Sequence, residues 1–151
     1  MSKLKEFTEA YDSLFKLVAS HDTSPDDEPW FFEEVNKLII KHGNEVAIKF
    51  AQNEKWPEYT FELLVKSGLR EIPKETLLSY LQTDNEDNMY CTAFALAACG
   101  YQEGFDILKA FANQSHPLSK NTHPIADILP DLEYIQDDRT KEIKDLCEEY
   151  L

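Results

Sequence analysis

Apolar residues recur along this chain at helical intervals, and nowhere do they alternate as in a strand. Leu4, Phe7, Tyr11, Leu14 and Val18 fall on one stripe and predict a first helix over about 3–20. The segment HDTSPDDEP, 21–29, breaks that stripe. Within it, Ser24, Pro25, Asp26 and Asp27 supply a capping hydroxyl, a proline for the first helical position and carboxylates for the positive dipole end. A second helix then runs to about His42 with Phe32, Val35, Leu38 and Ile39 inward, and Gly43 closes it. His42 sits where a cation suits the helix dipole, so capping is its expected role. A third helix starts at Asn44 and turns Val46, Ala47, Phe50 and Ala51 to the core. Trp56-Pro57-Glu58 opens a fourth, which carries Phe61, Leu64 and Val65 and stops at Gly68.

The second half continues the pattern. Pro73-Lys74-Glu75 starts a short helix with Leu77, Leu78 and Leu81. Thr83 and Glu86 have the spacing of a capping box ahead of the most apolar helix, which passes through Tyr90, Phe94, Ala97 and Ala98 to Gly100. A further helix over about 102–113 holds Ile107, Leu108, Phe111 and Ala112. Residues 113–124 are rich in Ser, Asn and Pro and read as a loop. Ile125, Ile128 and Leu129 predict a short helix interrupted by Pro130, and from Asp138 onward Ile143, Leu146, Cys147 and Tyr150 share a last stripe. The expected fold is all-α: about eight or nine helices in a single domain over 1–151. Three helix ends look alike (KLIIKHG, ELLVKSG and ALAACG), which suggests an irregular stack of antiparallel helix pairs, HEAT-like, with an orthogonal bundle as the alternative. The stretch TAFALAACGYQEGFDILKAFA, 92–112, resembles an ankyrin unit. It departs from that pattern by one missing residue before Gly100, by the absent His and by Gly104 in place of an aliphatic residue.

Charge changes the picture most. The chain carries 29 Asp and Glu against 15 Lys and Arg, a net charge of −14 on 151 residues. Its field repels nucleic acid and anionic lipid and attracts basic surfaces. A hydrophobic content of 42%, with 9 Phe, 7 Tyr and 2 Trp, takes the chain out of the disordered class. No apolar run is long enough to span a membrane, and MSKLKEFTEAYDSLF lacks the apolar core of a secretory signal, so a cytoplasmic location is expected. Cys91, Cys99 and Cys147 read as free thiols in a reducing compartment. On one helix Cys91 and Cys99 would stand about 12 Å apart, too far to bridge.

No catalytic constellation emerges. His116 and His123 flank the loop, and Asp127 follows His123 by four, but a metal site usually shows two tight ligand pairs and Pro124 places His123 ahead of any helix. No phosphate-binding glycine motif, serine elbow or electropositive thiol is present. Asp84-Asn85-Glu86-Asp87-Asn88 lacks the glycine and spacing of a calcium loop. We therefore expect no enzyme, no metal and no cofactor. The acids gather in three clusters. Asp22, Asp26, Asp27 and Glu28 adjoin Trp30; Asp84, Glu86 and Asp87 precede the apolar helix; Asp131, Glu133, Asp137 and Asp138 surround Tyr134. Favourable placement at helix starts explains individual acids but not the excess of fourteen. Acid beside aromatic suits a surface that docks a cationic protein, the ring as anchor and the charge for steering. These thirteen residues are the candidate partner-binding set.

In size, charge and helical character the chain resembles the immunity proteins of bacterial toxin–immunity pairs, including those of contact-dependent growth inhibition. The resemblance implies neutralisation of one cognate basic toxin, usually a nuclease, by occlusion of its active site. The alternative is a helical-repeat adaptor that holds a peptide or protein in a groove. Neither reading involves nucleic acid or membrane as a partner.

Overall fold

A computed structural model describes residues 2–151, apart from the side chain of Asp26. It is all-helical, with 69% helix and no strand among the described residues. Contacts divide the chain into two compact units, residues 1–72 and 73–151.

The first unit contains α1 (Lys3–Ser20), α2 (Pro29–His42), α3 (Asn44–Gln52) and α4 (Pro57–Lys66). α1 packs on α2 and α3, and α4 packs on both α2 and α3. The first stripe places Phe7 and Tyr11 at the centre of an aromatic cluster. Phe50 lies 5.1 Å from Phe7 and 4.5 Å from Tyr11, and Phe31 meets Tyr11 edge-on at 5.6 Å. Leu4, Leu14, Leu38 and Val46, expected inward, are only half-buried. His42 is no cap: its side chain is buried, edge-on to Phe7 at 6.0 Å, with Nδ1 4.0 Å from Glu6 Oε2. The helix start expected at Ser24 is also displaced. Pro25–Asp27 forms one 3-10 turn, Ser24 Oγ donates to Asp27 Oδ2 rather than capping the backbone, and α2 begins at Pro29. Two prolines four residues apart each fix a helix start, and the second opens the longer run.

The second unit contains α5 (Lys74–Leu78), a 3-10 turn (Ser79–Leu81), α6 (Glu86–Ala98), α7 (Gln102–Ala112) and α8 (Thr140–Glu148). Between α7 and α8 lie a π-helical turn, Pro124–Ile128, and a 3-10 turn, Asp131–Tyr134. α6 and α7 form the tightest pair, and α8 packs on α7. Gly104 explains the closeness. A Cβ there would lie 2.2 Å from Ala97 N and 2.6 Å from Ala93 O, so the start of α7 rests directly on the backbone of α6. Cys91 and Cys147 are buried and Cys99 is half-buried, and none of the three forms a disulfide. Burial, helped by Glu148, pushes the Cys147 thiol up to about 11. Tyr150, expected on the α8 stripe, lies past the helix end and is exposed.

The likeness of the glycine-closed ends has a structural basis in two of the three. After α4, Gly68 N donates to Val65 O and Leu69 N to Leu64 O. After α6, Gly100 N donates to Ala97 O and Tyr101 N to Leu96 O. Both are the same C-terminal device, and it requires positive φ, here +106° and +87°. The capping box expected at Thr83 and Glu86 does not form. Asn85 caps α6 by accepting from Asn88 N, and Thr83 Oγ1 accepts from Asn85 N. Glu86 is thereby left to reach a distant segment.

Candidate functional site

Charge is unequally shared. The second unit has six Lys and Arg against fifteen Asp and Glu, a net −9, whereas the first has nine against fourteen, a net −5. Several cations of the second unit are already engaged with carboxylates. Lys74 Nζ stands 2.7 Å from Glu103 Oε2, Lys109 Nζ 2.5 Å from Glu142 Oε1, and Arg139 pairs with Asp137.

α6 organises the second and third acidic clusters. Asp84, Glu86 and Asp87 stand at its N-terminal end. One turn along, Tyr90 donates its hydroxyl to Asp131 Oδ2 at 2.7 Å. That bond brings Asp131, and with it exposed Glu133 and half-buried Tyr134 on the same 3-10 turn, to the half of α6 where the second cluster sits. Exposed Asp127, whose backbone carbonyl also receives the Tyr90 hydroxyl, belongs to the same neighbourhood. Asp137 does not. Arg139 donates to the carbonyl of Gly100, beyond the other end of α6, and to Gln102 Oε1, each at 3.0 Å. Tyr90 and Gly100 are ten residues apart, so the two anchor points stand about 15 Å apart along the helix. The third cluster is therefore split.

The clustered acids also differ in what they do. Glu86 accepts from Asn121 N at 2.9 Å and from Thr122 Oγ1 at 2.5 Å, and so ties the loop after α7 to α6. Burial raises its carboxyl, but the Thr122 hydroxyl and the N–H groups of Asn121 and Thr122 outweigh that and hold it below the ordinary carboxylate value. Asp137 is gripped by Arg139, Nε to Oδ1 at 2.9 Å and Nη2 to Oδ2 at 2.8 Å, and these bonds draw its carboxyl down to about 2. The guanidinium lies 4.1 Å above the Phe105 ring, sandwiched between its ion pair and the core. Asp84, Asp87, Glu133 and Asp138 have exposed side chains that face solvent.

In the first unit Asp22 and Asp27 are exposed, and Asp22 adopts a left-handed φ of +54°. Glu28 accepts from the Trp30 indole N–H and lies 3.5 Å from His21 Nδ1, so the Trp30 polar edge is turned to its own neighbour. The side chain of Asp26 is outside the described set.

The loop histidines serve as backbone acceptors. His123 Nδ1 receives Ile125 N and Ala126 N, while Asp127 Oδ2 receives His123 N at 2.7 Å. The four-residue spacing thus closes a reciprocal cap over the π-helical turn. Among the described residues no group of three or more His, Cys, Asp or Glu is placed to hold a metal ion, and no helix is long and apolar enough to cross a membrane.

Sequence reasoning missed Tyr90 and Arg139 as organising residues. Tyr90 follows Glu86 by four, which puts both on one face of α6, and Arg139 follows Asp137 by two. Also missed was Glu62 with Lys66 in α4, a buried pair at 3.0 Å. No protein-family model, no curated protein and no solved structure matches this chain.

Proposed function

We propose that this chain is a non-catalytic protein-binding module: an immunity protein that neutralises one cognate basic toxin, a nuclease, by covering its active site. The observation that carries this reading is the convergence of the second acidic cluster and part of the third, Asp131 and Glu133, on the N-terminal half of α6, within the unit of net charge −9. A nuclease must be positive where phosphate binds. A fixed acidic surface competes for that position and accelerates encounter, and the advantage fades as salt shortens the Debye length. Exposed Asp84, Asp87 and Glu133 supply the charge, and half-buried Tyr134 supplies an aromatic contact beside it.

The experiment is co-expression with the product of the gene immediately upstream, followed by association kinetics on the purified pair. The expected outcome is relief of that product's toxicity and an association rate that falls at least about tenfold between roughly 0.01 and 0.15 M salt. Reversing Asp84, Asp87 and Glu133 to lysine should remove most of the salt dependence. Capture of an uncharged peptide with a salt-independent rate would instead favour a helical-repeat adaptor and overturn the toxin reading.

A further inference from the structure

The segment that follows α7 is held by contacts that differ in their sensitivity to protons. His116 forms one hub. Its Nδ1 accepts the Leu118 N–H at 3.0 Å, and its carbonyl receives both Ser119 N at 3.0 Å and Ser119 Oγ at 2.7 Å. The ring lies 4.8 Å from the Phe111 ring of α7, and Phe111 in turn meets Tyr90 of α6 at 5.9 Å. Two residues beyond Ser119 the Glu86 carboxylate begins its hold on Asn121 and Thr122.

An imidazole nitrogen can accept the Leu118 N–H only while it carries no proton. Once protonated it becomes a donor and faces another donor. The groups around this ring do not compensate. α7 presents Phe111, α6 presents Tyr90 behind it, and the turn itself presents the Leu118 N–H. The carboxylate that reaches this segment from α6, Glu86, is occupied by Asn121 and Thr122. Stacking on Phe111 favours a cation, but the lost acceptor and the burial oppose it, and burial lowers the His116 pKa below the ordinary imidazole value.

We propose that residues 115–122 form an acid-released strap, in which protonation of His116 breaks the turn and loosens the Glu86 contacts while the helices stay folded. A base with a depressed pKa stabilises the closed form fully above the ordinary imidazole value, and that contribution is lost as pH falls below it. Closure is thus strongest at and above neutral pH and is weakened on mild acidification. The proposal does not depend on the toxin reading.

Amide hydrogen exchange on the full chain, corrected for intrinsic rates, tests it. Between pH 7.5 and 5.5 the protection of Leu118, Ser119 and Asn121 should fall by up to about tenfold, the limit set by one ordinary imidazole in the open segment. The Phe94 and Leu96 amides of α6 should not change. His116→Asn keeps a side-chain acceptor for the Leu118 N–H and cannot gain charge. Whatever its protection at pH 7.5, the ratio between the two pH values should approach one. A wild-type ratio near one, an equal ratio in His116→Asn, or a parallel loss at Phe94 and Leu96 would each overturn the strap.

Discussion

At the scale of single residues, the sharpest constraint is Gly104. Alanine at this position would gain up to about 1 kcal/mol of helix propensity. Against that, its Cβ would meet Ala97 N, Ala93 O and Leu96 Cβ, all under 3 Å. Two of these are backbone atoms and cannot rotate away. Overpacking costs about 1–3 kcal/mol where a core can yield, and here α7 would have to lift from α6. We expect Gly104→Ala to lower stability by about 2 kcal/mol or more, measured as a fall in the urea midpoint at unchanged slope. An unchanged midpoint would mean that the two helices are not pressed together at this point. The departure from the ankyrin-like pattern at this residue thus has a steric reason: an aliphatic side chain has no room.

At the scale of elements, helix identity was legible and helix ends were partly so. The apolar stripes located α1, α2, α3, α4, α6, α7 and α8 because burial of one face follows directly from 3.6-residue periodicity. Gly43, Gly68 and Gly100 marked the correct stops. The starts were harder, since Ser24, Thr83 and Glu86 have several partners open to them and only tertiary structure selects one. Glu86 is drawn to Asn121 and Thr122, 35 and 36 residues away, a choice no local motif encodes. The candidate surface was legible as three acidic runs but not as a place, because Tyr90 and Arg139 decide which runs meet. α4 buries the expected Phe61, Leu64 and Val65 and more besides. Thr60–Lys66 are all buried, the Glu62–Lys66 pair included, which a stripe of three apolar residues does not encode. Removing one member of a buried pair leaves an uncompensated charge, at a cost of about 3–5 kcal/mol, whereas replacing both by apolar residues of similar size is often neutral. Lys66→Met alone should therefore destabilise strongly, and Glu62→Leu with Lys66→Met should recover most of the loss. A double variant no better than the single one would show that each charge serves a separate contact.

At the scale of the whole molecule, the charge that suits a basic partner works against the folded chain. A net −14 on 151 residues repels itself most when compact, and the repulsion is screened by salt. Exposed pairs such as Lys37–Glu34 and Lys109–Glu142 are screened as well, but such pairs contribute only about 0–1 kcal/mol each. The uncompensated excess should therefore dominate, and sodium chloride raised from about 0.01 to 0.5 M should stabilise the isolated protein. Each kcal/mol of relieved repulsion raises Tm by about 2–4 °C in a chain of this size. Lowering the charge by substitution has the same sign: Asp84→Asn with Asp87→Asn should raise Tm at low salt and have less effect at high salt. Loss of dipole-favoured carboxylates at the start of α6 works the other way and reduces the gain. The same salt that steadies the free molecule must slow its encounter with a cationic partner. If salt shifts neither Tm nor association, the surplus acid is spread too thinly to generate a field, and steering fails along with self-repulsion.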